Sequence, residues 1–303
     1  MIATIRERVL DVLTDSGRIS LKLYLYVVPA LLLYAVFMLY PLAELFLLSF
    51  QNFSLGGSNE WVGLANYQNV LSDPVFWQAA QNTLVYGVVG ITVPVVLGLI
   101  IAAMLNVDVP GSTTVRSIIF TPQIVPIVVA GILFVWIFNN NGILNSVLVG
   151  TGVVDSRIRW LSSPVLALPV VLLMVIWKRT GYYMVIVLAG LQSIPDEVYD
   201  AAKVQGKSRW QTFRHVTVPM ARSALVIVVV LGIINAVKSF ASVFVMTEGG
   251  PGHATEILGT YFYKQTFAFF NYGEGAAIGF IQFLIVLVLT TAFFYVEGEF
   301  NVN

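Results

Sequence analysis

Six stretches of this chain run for about twenty residues or more with almost no charge, and nothing else in the sequence limits the fold so tightly. They fall at about 22–49, 82–105, 117–138, 165–190, 223–246 and 276–297. Crossing the hydrocarbon core of a bilayer as a helix takes about 20 mostly apolar residues. No water reaches that core, so each backbone N–H and C=O must be paired within the protein, and a run of this length becomes a helix. The whole chain agrees: of its 303 residues 58% are hydrophobic and 11% charged, and its mean hydropathy is +0.85. A soluble domain carries about 25% charged residues. The expected fold is an all-α polytopic membrane protein of about six spans. A tail (1–21) precedes one transmembrane domain (22–297), and a short tail (298–303) follows. Pro122 and Pro126 are expected to kink the third span, and "WKRTGYY" interrupts the apolar run of the fourth.

Lysine and arginine placement orients such a chain. Arg6, Arg8, Arg18, Lys22, Arg116, Lys203, Lys207, Arg209, Arg214 and Arg222 lie in alternate connections, ten residues against three (Arg157, Arg159 and Lys264) on the other side. The N-terminus and the 191–222 loop are therefore expected in the cytoplasm, and an even span count returns the C-terminus there. "MIATIRERVLDVLTDSGRIS" has no apolar signal-peptide core and reads as retained. Zero net charge leaves no basic field for nucleic acid. The absence of cysteine, with only His215 and His253 as histidines, points to no metal site and no catalytic thiol.

The 191–222 loop is more than a linker. In "SIPDEVYDAAKV", Ser193 is expected to cap a helix, with Pro195 in its first turn and Asp196 and Glu197 at the favourable end of its dipole. Gly206 is expected to end that helix. Ser208 and Gln211 form a capping box for a second helix, which Pro219 is expected to stop. Within it "AAKVQGKSRW" lies one residue from the phosphate-cradling G-x-x-x-x-G-K-[ST] pattern. A phosphate loop needs a preceding buried strand, and "IPDEVYDAAKV" reads as helix, so a nucleotide-using membrane enzyme is a poor fit. Trp210 and Phe213 share a face. Either they pack on the ends of this chain's own spans, or they dock a cytoplasmic partner, which apolar anchors amid basic residues favour.

"DAAKVQGKSRWQTFRHVTVP" resembles the EAA-x3-G-x9-I-x-L-P signature of permease subunits in binding-protein-dependent ABC importers. Asp200 stands for the Glu, Ala201, Ala202 and Gly206 match, and Val216, Val218 and Pro219 close it at the family's spacing. Gln205 and Lys207 depart from the residues that commonly flank the glycine. "FQNFSL", "VGLANYQNVLSDPVFWQAAQNTL", "WKRTGYYMVIVLAGLQSIP" and "FVMTEGGPGHATEILGTYFYKQTF" are similar to segments of the carbohydrate-uptake subgroup, maltose or glycerol-phosphate type, over about 20–297. The resemblance implies a non-catalytic subunit of the prokaryotic plasma or inner membrane. ATP and Mg would be bound by separate ATPase subunits, so no cofactor is expected in this chain. The coupling residues would be Asp200, Ala201, Ala202, Gly206, Trp210, Phe213 and Pro219, in a coupling-helix loop between spans 4 and 5. Further partners would be a second, related permease chain, an extracytoplasmic solute-binding protein and membrane lipid, and transport would proceed by alternating access.

Charges inside the membrane are costly and mark pathways or pairing sites. Lys178, Arg179 and Lys238 fall in or near spans, with snorkelling to the outer interface an alternative for the first two. Asn235, Lys238, Ser239 and Ser242 recur at i, i+3, i+4 and i+7 and are expected to form one polar face of the fifth span. That face meets either another helix or a wet path. Tyr182 and Ser239 match positions lining the central sugar site of maltose-type permeases. The pathway candidates are thus Lys178, Arg179, Tyr182, Asn235, Lys238 and Ser239. A sugar or polyol is the expected cargo, with an anionic solute such as glycerol phosphate left open. A self-sufficient channel or secondary transporter is the remaining alternative, disfavoured by the absence of internal symmetry.

Overall fold

The computed structural model describes residues 26–53, 59–106 and 110–301. The expected N-terminal tail 1–21, the start of the first span, and residues 302–303 of the C-terminal tail lie outside the described residues. Thirteen helices are used below. They are α1 (Tyr26–Leu48), α2 (Ala65–Ser72), α3 (Pro74–Leu105), α4 (Ser112–Ile124), α5 (Ile127–Phe138), α6 (Ile143–Gly150) and α7 (Ala167–Gln192). There follow α8 (Asp196–Val204), α9 (Arg209–Met220), α10 (Arg222–Val237), α11 (Ala241–Thr247), α12 (Leu258–Tyr263) and α13 (Tyr272–Asn301). A two-stranded antiparallel hairpin, β1 (Gln51–Asn52) with β2 (Glu60–Trp61), marks one end of the bundle. The residues between α7 and α10 mark the other.

Among the described residues five helical segments are long and apolar enough to cross a membrane (α1, α3, α5 with α6 over Ile127–Gly150, α7 and α13), and α9 with α10, bent by 66°, makes a sixth if counted as one span. The count of about six therefore stands, although the boundaries move. The second span begins at Pro74, eight residues before the expected start, because Asp73 caps it: its Oδ1 accepts from Val75 N at 2.8 Å. The third span is broken rather than kinked. Val125 is extended at φ −65°, ψ 127°, because the ring of Pro126 disfavours a helical residue before it. Pro122 sits within α4 and breaks nothing.

The fourth span stands where it is expected, as Ala167–Gln192 against about 165–190. α7 is one continuous helix through "WKRTGYY". Gly181 marks a close helix approach: a Cβ there would lie 2.0 Å from the Ile119 carbonyl oxygen on α4. Gly98 on α3 meets α7 similarly, 2.9 Å from Met184 N. Small residues at crossings let membrane helices pack backbone to backbone. The fifth span also differs, since α10 ends at Val237 and α11 starts at Ala241. The expected continuous polar stripe is interrupted at 238–240.

α3 and α7 form the most extensive helix pair, with α4 on α7, α10 on α3 and α11 on α5. One buried cluster lies toward the hairpin end around Tyr86, Met174, Val243 and Ile257. A second lies toward the opposite end around Tyr183, Met184, Leu191 and Val228. Large apolar side chains such as Leu31, Leu84, Ile118 and Val288 are exposed, as expected where the solvent is lipid.

Candidate functional site

The two helix breaks face each other across α7 and open a polar cavity of about 290 Å³ inside the apolar bundle. All six pathway candidates line it: Lys178, Arg179 and Tyr182 from α7, Asn235 from the last turn of α10, and Lys238 and Ser239 from the break after it. The residues of the expected stripe thus converge, though for a different reason. Helical periodicity does not carry through the break. The chain turns there, and Ser242 at the start of α11 reaches the same cavity.

The small polar groups are held by their own backbone. Asn235 Nδ2 donates to Leu231 O at 2.8 Å, and Ser239 Oγ to Asn235 O at 2.7 Å. Tyr86 Oη and Ser242 Oγ share a hydrogen bond of 2.9 Å between α3 and α11. Lys238 is exposed and makes no ion pair among the described residues. Arg179 Nη1 is buried without a hydrogen-bond partner among them. Among the described residues no aspartate or glutamate lines the cavity.

Lys178 does a different job from its neighbours, and it does not snorkel. Its ammonium donates to Gln123 O at 3.0 Å, to Pro122 O at 3.3 Å and to Val125 O. Pro126 has no N–H to give to Pro122 O, four residues back. Lys178 supplies that missing donor from another helix, and its charge complements the negative C-terminal end of α4.

Sequence reasoning missed three things here. Tyr86 and Gln123 line the cavity; each is an isolated polar tip within an apolar run, which was the available signal. At the hairpin end, Glu256 is fully buried and accepts from Lys264 Nζ at 2.5 Å and pairs with His253 Nδ1 at 3.2 Å. Asn82 Nδ2 holds the same loop, donating to the carbonyls of His253, Ala254 and Glu256. Tyr261 Oη donates to Asp73 Oδ2 at 2.5 Å, tying α12 to the cap of α3. Burial and that bond to the Asp73 carboxylate push the Tyr261 phenol well above its ordinary range.

At the opposite end, α8 closes with Gly206 at φ +70°. Gly206 N donates to Lys203 O at 2.9 Å and Lys207 N to Ala202 O at 3.1 Å, the paired bonds of a Schellman ending. Ser208 and Gln211 form the expected capping box of α9. With those amides occupied and Ser208 N bonded to Gln211 Oε1, "AAKVQGKS" offers no amide cradle for a phosphate. One detail differs from expectation. Ser193 caps nothing at the start of α8; it closes α7, its Oγ bonded to Gly190 O at 2.7 Å. Pro219 stands one residue before the end of α9, and the bend comes at Ala221.

The loop residues divide by exposure. Ala202, Val216 and Thr217 are buried. Asp200 is exposed and pairs with Lys203 at 2.8 Å, which raises the lysine above its ordinary range. Ala201, Gly206 and Pro219 are exposed. Trp210 and Phe213 stack with centroids 5.6 Å apart. Phe213 packs against the cluster around Leu191, while Trp210 is 67% exposed. Phe213 thus packs inward, as one of the two readings expects, and Trp210 does not.

Residues 94–297 match the family model described as the binding-protein-dependent transport system inner membrane component. The chain belongs to this family. Over 297 residues this permease is 34% identical to a lactose transport system permease protein of Rhizobium radiobacter, covering 95% of this chain and 99% of that one. It is 31% identical over 272 residues to a sulfoquinovosyl glycerol transport system permease protein of Agrobacterium fabrum, covering 89% and 88%. Its fold matches a chain of a bacterial ABC transporter involved in the import of the acidic polysaccharide alginate. The TM-score is 0.81 at 22% identity, with 95% and 98% covered. The permease is a multi-pass membrane component of an ABC importer.

Proposed function

We propose that this permease forms part of the path by which a saccharide crosses the membrane, and that its 193–220 loop couples the path to separate ATPase subunits. The carrying observation is the cavity. Six side chains chosen from two spans by residue type line one polar space within an apolar bundle. Aromatic faces with a few convergent donors suit a polyol. The two relatives named above, whose names carry lactose and sulfoquinovosyl glycerol, support a saccharide cargo. The termini and the loop lie in the cytoplasm on this reading, and Trp210 enters the ATPase surface. The other partners are a second permease chain and a solute-binding protein on the opposite face, in a prokaryotic inner or plasma membrane. ATP-driven closure of the ATPase pair moves α8 and α9, and the bend at Ala221 passes that motion to α10.

One observation favours an anionic sugar over a neutral one: among the described residues the lining carries three cations and no acid. Lys178 is committed to carbonyls, which leaves Arg179 and Lys238 to meet a sulfonate or phosphate. The test is reconstitution of the complete complex in liposomes with lactose and sulfoquinovosyl glycerol as cargoes. ATP-dependent uptake that vanishes without the ATPase subunits is expected. Transport or ATP hydrolysis by this chain alone refutes the reading.

A further inference from the structure

Four aromatic rings outside the hydrophobic core lead away from the cavity. Phe240 lines the cavity itself. It stacks on Phe244 with centroids 4.8 Å apart and meets Tyr263 at 4.9 Å. Tyr263 meets Phe244 at 5.0 Å and Phe267 at 5.4 Å. Phe267 is 55% exposed, in the turn after α12. The other three rings are partly exposed, and none of the four belongs to the buried clusters or packs against them.

Local rules do not explain this placement. Phe240 occupies the N-cap of α11 with no side-chain cap bond, a position that favours Ser, Thr, Asp or Asn. Gly259 lets α12 come against the break in the fifth span: a Cβ there would lie 2.3 Å from Ser239 O. Tyr263, one turn on and on the same face, is thereby delivered beside Phe240. A position that breaks a local preference is where function is expected.

We infer that Phe240, Phe244, Tyr263 and Phe267 form a ladder of rings along which a saccharide moves between the hairpin end of the bundle and the cavity. The apolar C–H face of a sugar ring carries partial positive charge, and the face of an aromatic ring partial negative charge. Successive rings at near-contact spacing let a sugar pass from one to the next without full rehydration. This assignment rests on the cargo being a saccharide, and the experiment separates the two.

The complete complex, with its second permease, ATPase subunits and binding protein, is placed in liposomes, and uptake of lactose and of sulfoquinovosyl glycerol is measured. Phe244→Leu and Phe267→Leu are expected to lower the uptake rate about five- to tenfold at unchanged recovery of every subunit. Phe244→Trp, which keeps an aromatic face while changing shape, is expected to stay within about twofold of the parent. The ladder is overturned if the leucine variants transport normally, which would leave the rings as lipid-facing surface. Loss of the second permease from the leucine variants would also overturn it, since the rings would then be an interface. Equal impairment by Trp and Leu would reduce Phe244 to packing. Failure of the parent complex to move either sugar overturns the saccharide reading and the ladder with it.

Discussion

Gly181→Ala is expected to separate two spans that now touch backbone to backbone. The added Cβ would lie 2.0 Å from Ile119 O, 2.7 Å from Ile119 C and 2.8 Å from Phe120 Cα. No flexible side chain stands there to give way, so α4 and α7 must part by about 1.4 Å to restore ordinary contact. Overpacking of this kind costs about 1–3 kcal/mol. The separation also reaches Lys178, one turn earlier on α7. Its bonds to Gln123 O and Pro122 O are 3.0 and 3.3 Å, with no slack for such a move. Each charge-assisted hydrogen bond lost adds about 1.5–3 kcal/mol. A loss of at least about 3 kcal/mol follows, and with it a lower thermal midpoint for the purified complex and much reduced uptake. Gly150→Ala is the control, because nothing lies within 4 Å of a Cβ there. A Gly181→Ala protein with the thermal midpoint and uptake of Gly150→Ala would refute the close-contact argument.

Trp210→Glu is expected to abolish co-purification of the ATPase subunits while leaving the thermal midpoint of the permease unchanged, since Trp210 is exposed; Phe213→Glu is expected to lower that midpoint as well, because Phe213 packs inward. Asp73→Ala removes the cap of α3 and the acceptor of Tyr261 Oη. It should destabilise by about 1–3 kcal/mol, read as a lower melting temperature in detergent. Asn82→Ala frees three loop carbonyls at once, and protease cleavage within 248–257 is expected to quicken severalfold. Lys238→Met is expected to depress uptake of sulfoquinovosyl glycerol at least tenfold more than uptake of lactose. Equal effects on the two would count against the cationic reading.

The span count was readable because it depends on the solvent. A bilayer demands a long apolar helix whatever its neighbours are. The ends of α8 and α9 were readable because Gly206, Ser208 and Gln211 act within one turn. Backbone breaks were harder. "WKRTGYY" interrupts an apolar run without breaking the helix, because a helix is held by its backbone and Lys178 finds acceptors on α4. The reverse held at 238–240, where four well-spaced polar residues suggested a regular helix and the chain turned. Glu256 gave no sign of its burial, since Lys264, its charged partner, and Asn82, which holds its loop, meet it only in three dimensions.

The first helix bears on how the molecule comes apart. None of its most apolar window is buried by the rest of the chain. Its contacts gather in the Tyr40–Leu48 half against α13, where Phe46 lies 4.8 Å from Phe280 and Leu45 lies beside Gly279. Elements melt in concert when they share buried surface. Among the described residues α1 shares little with the α3–α7 core, so the two are expected to melt as separate units. Heating or denaturant that melts the core leaves α1 governed by lipid. Conversely, α1 can swing free of α13 without the core registering it, so amide exchange should resolve α1 and α7 as separate events of very different free energy.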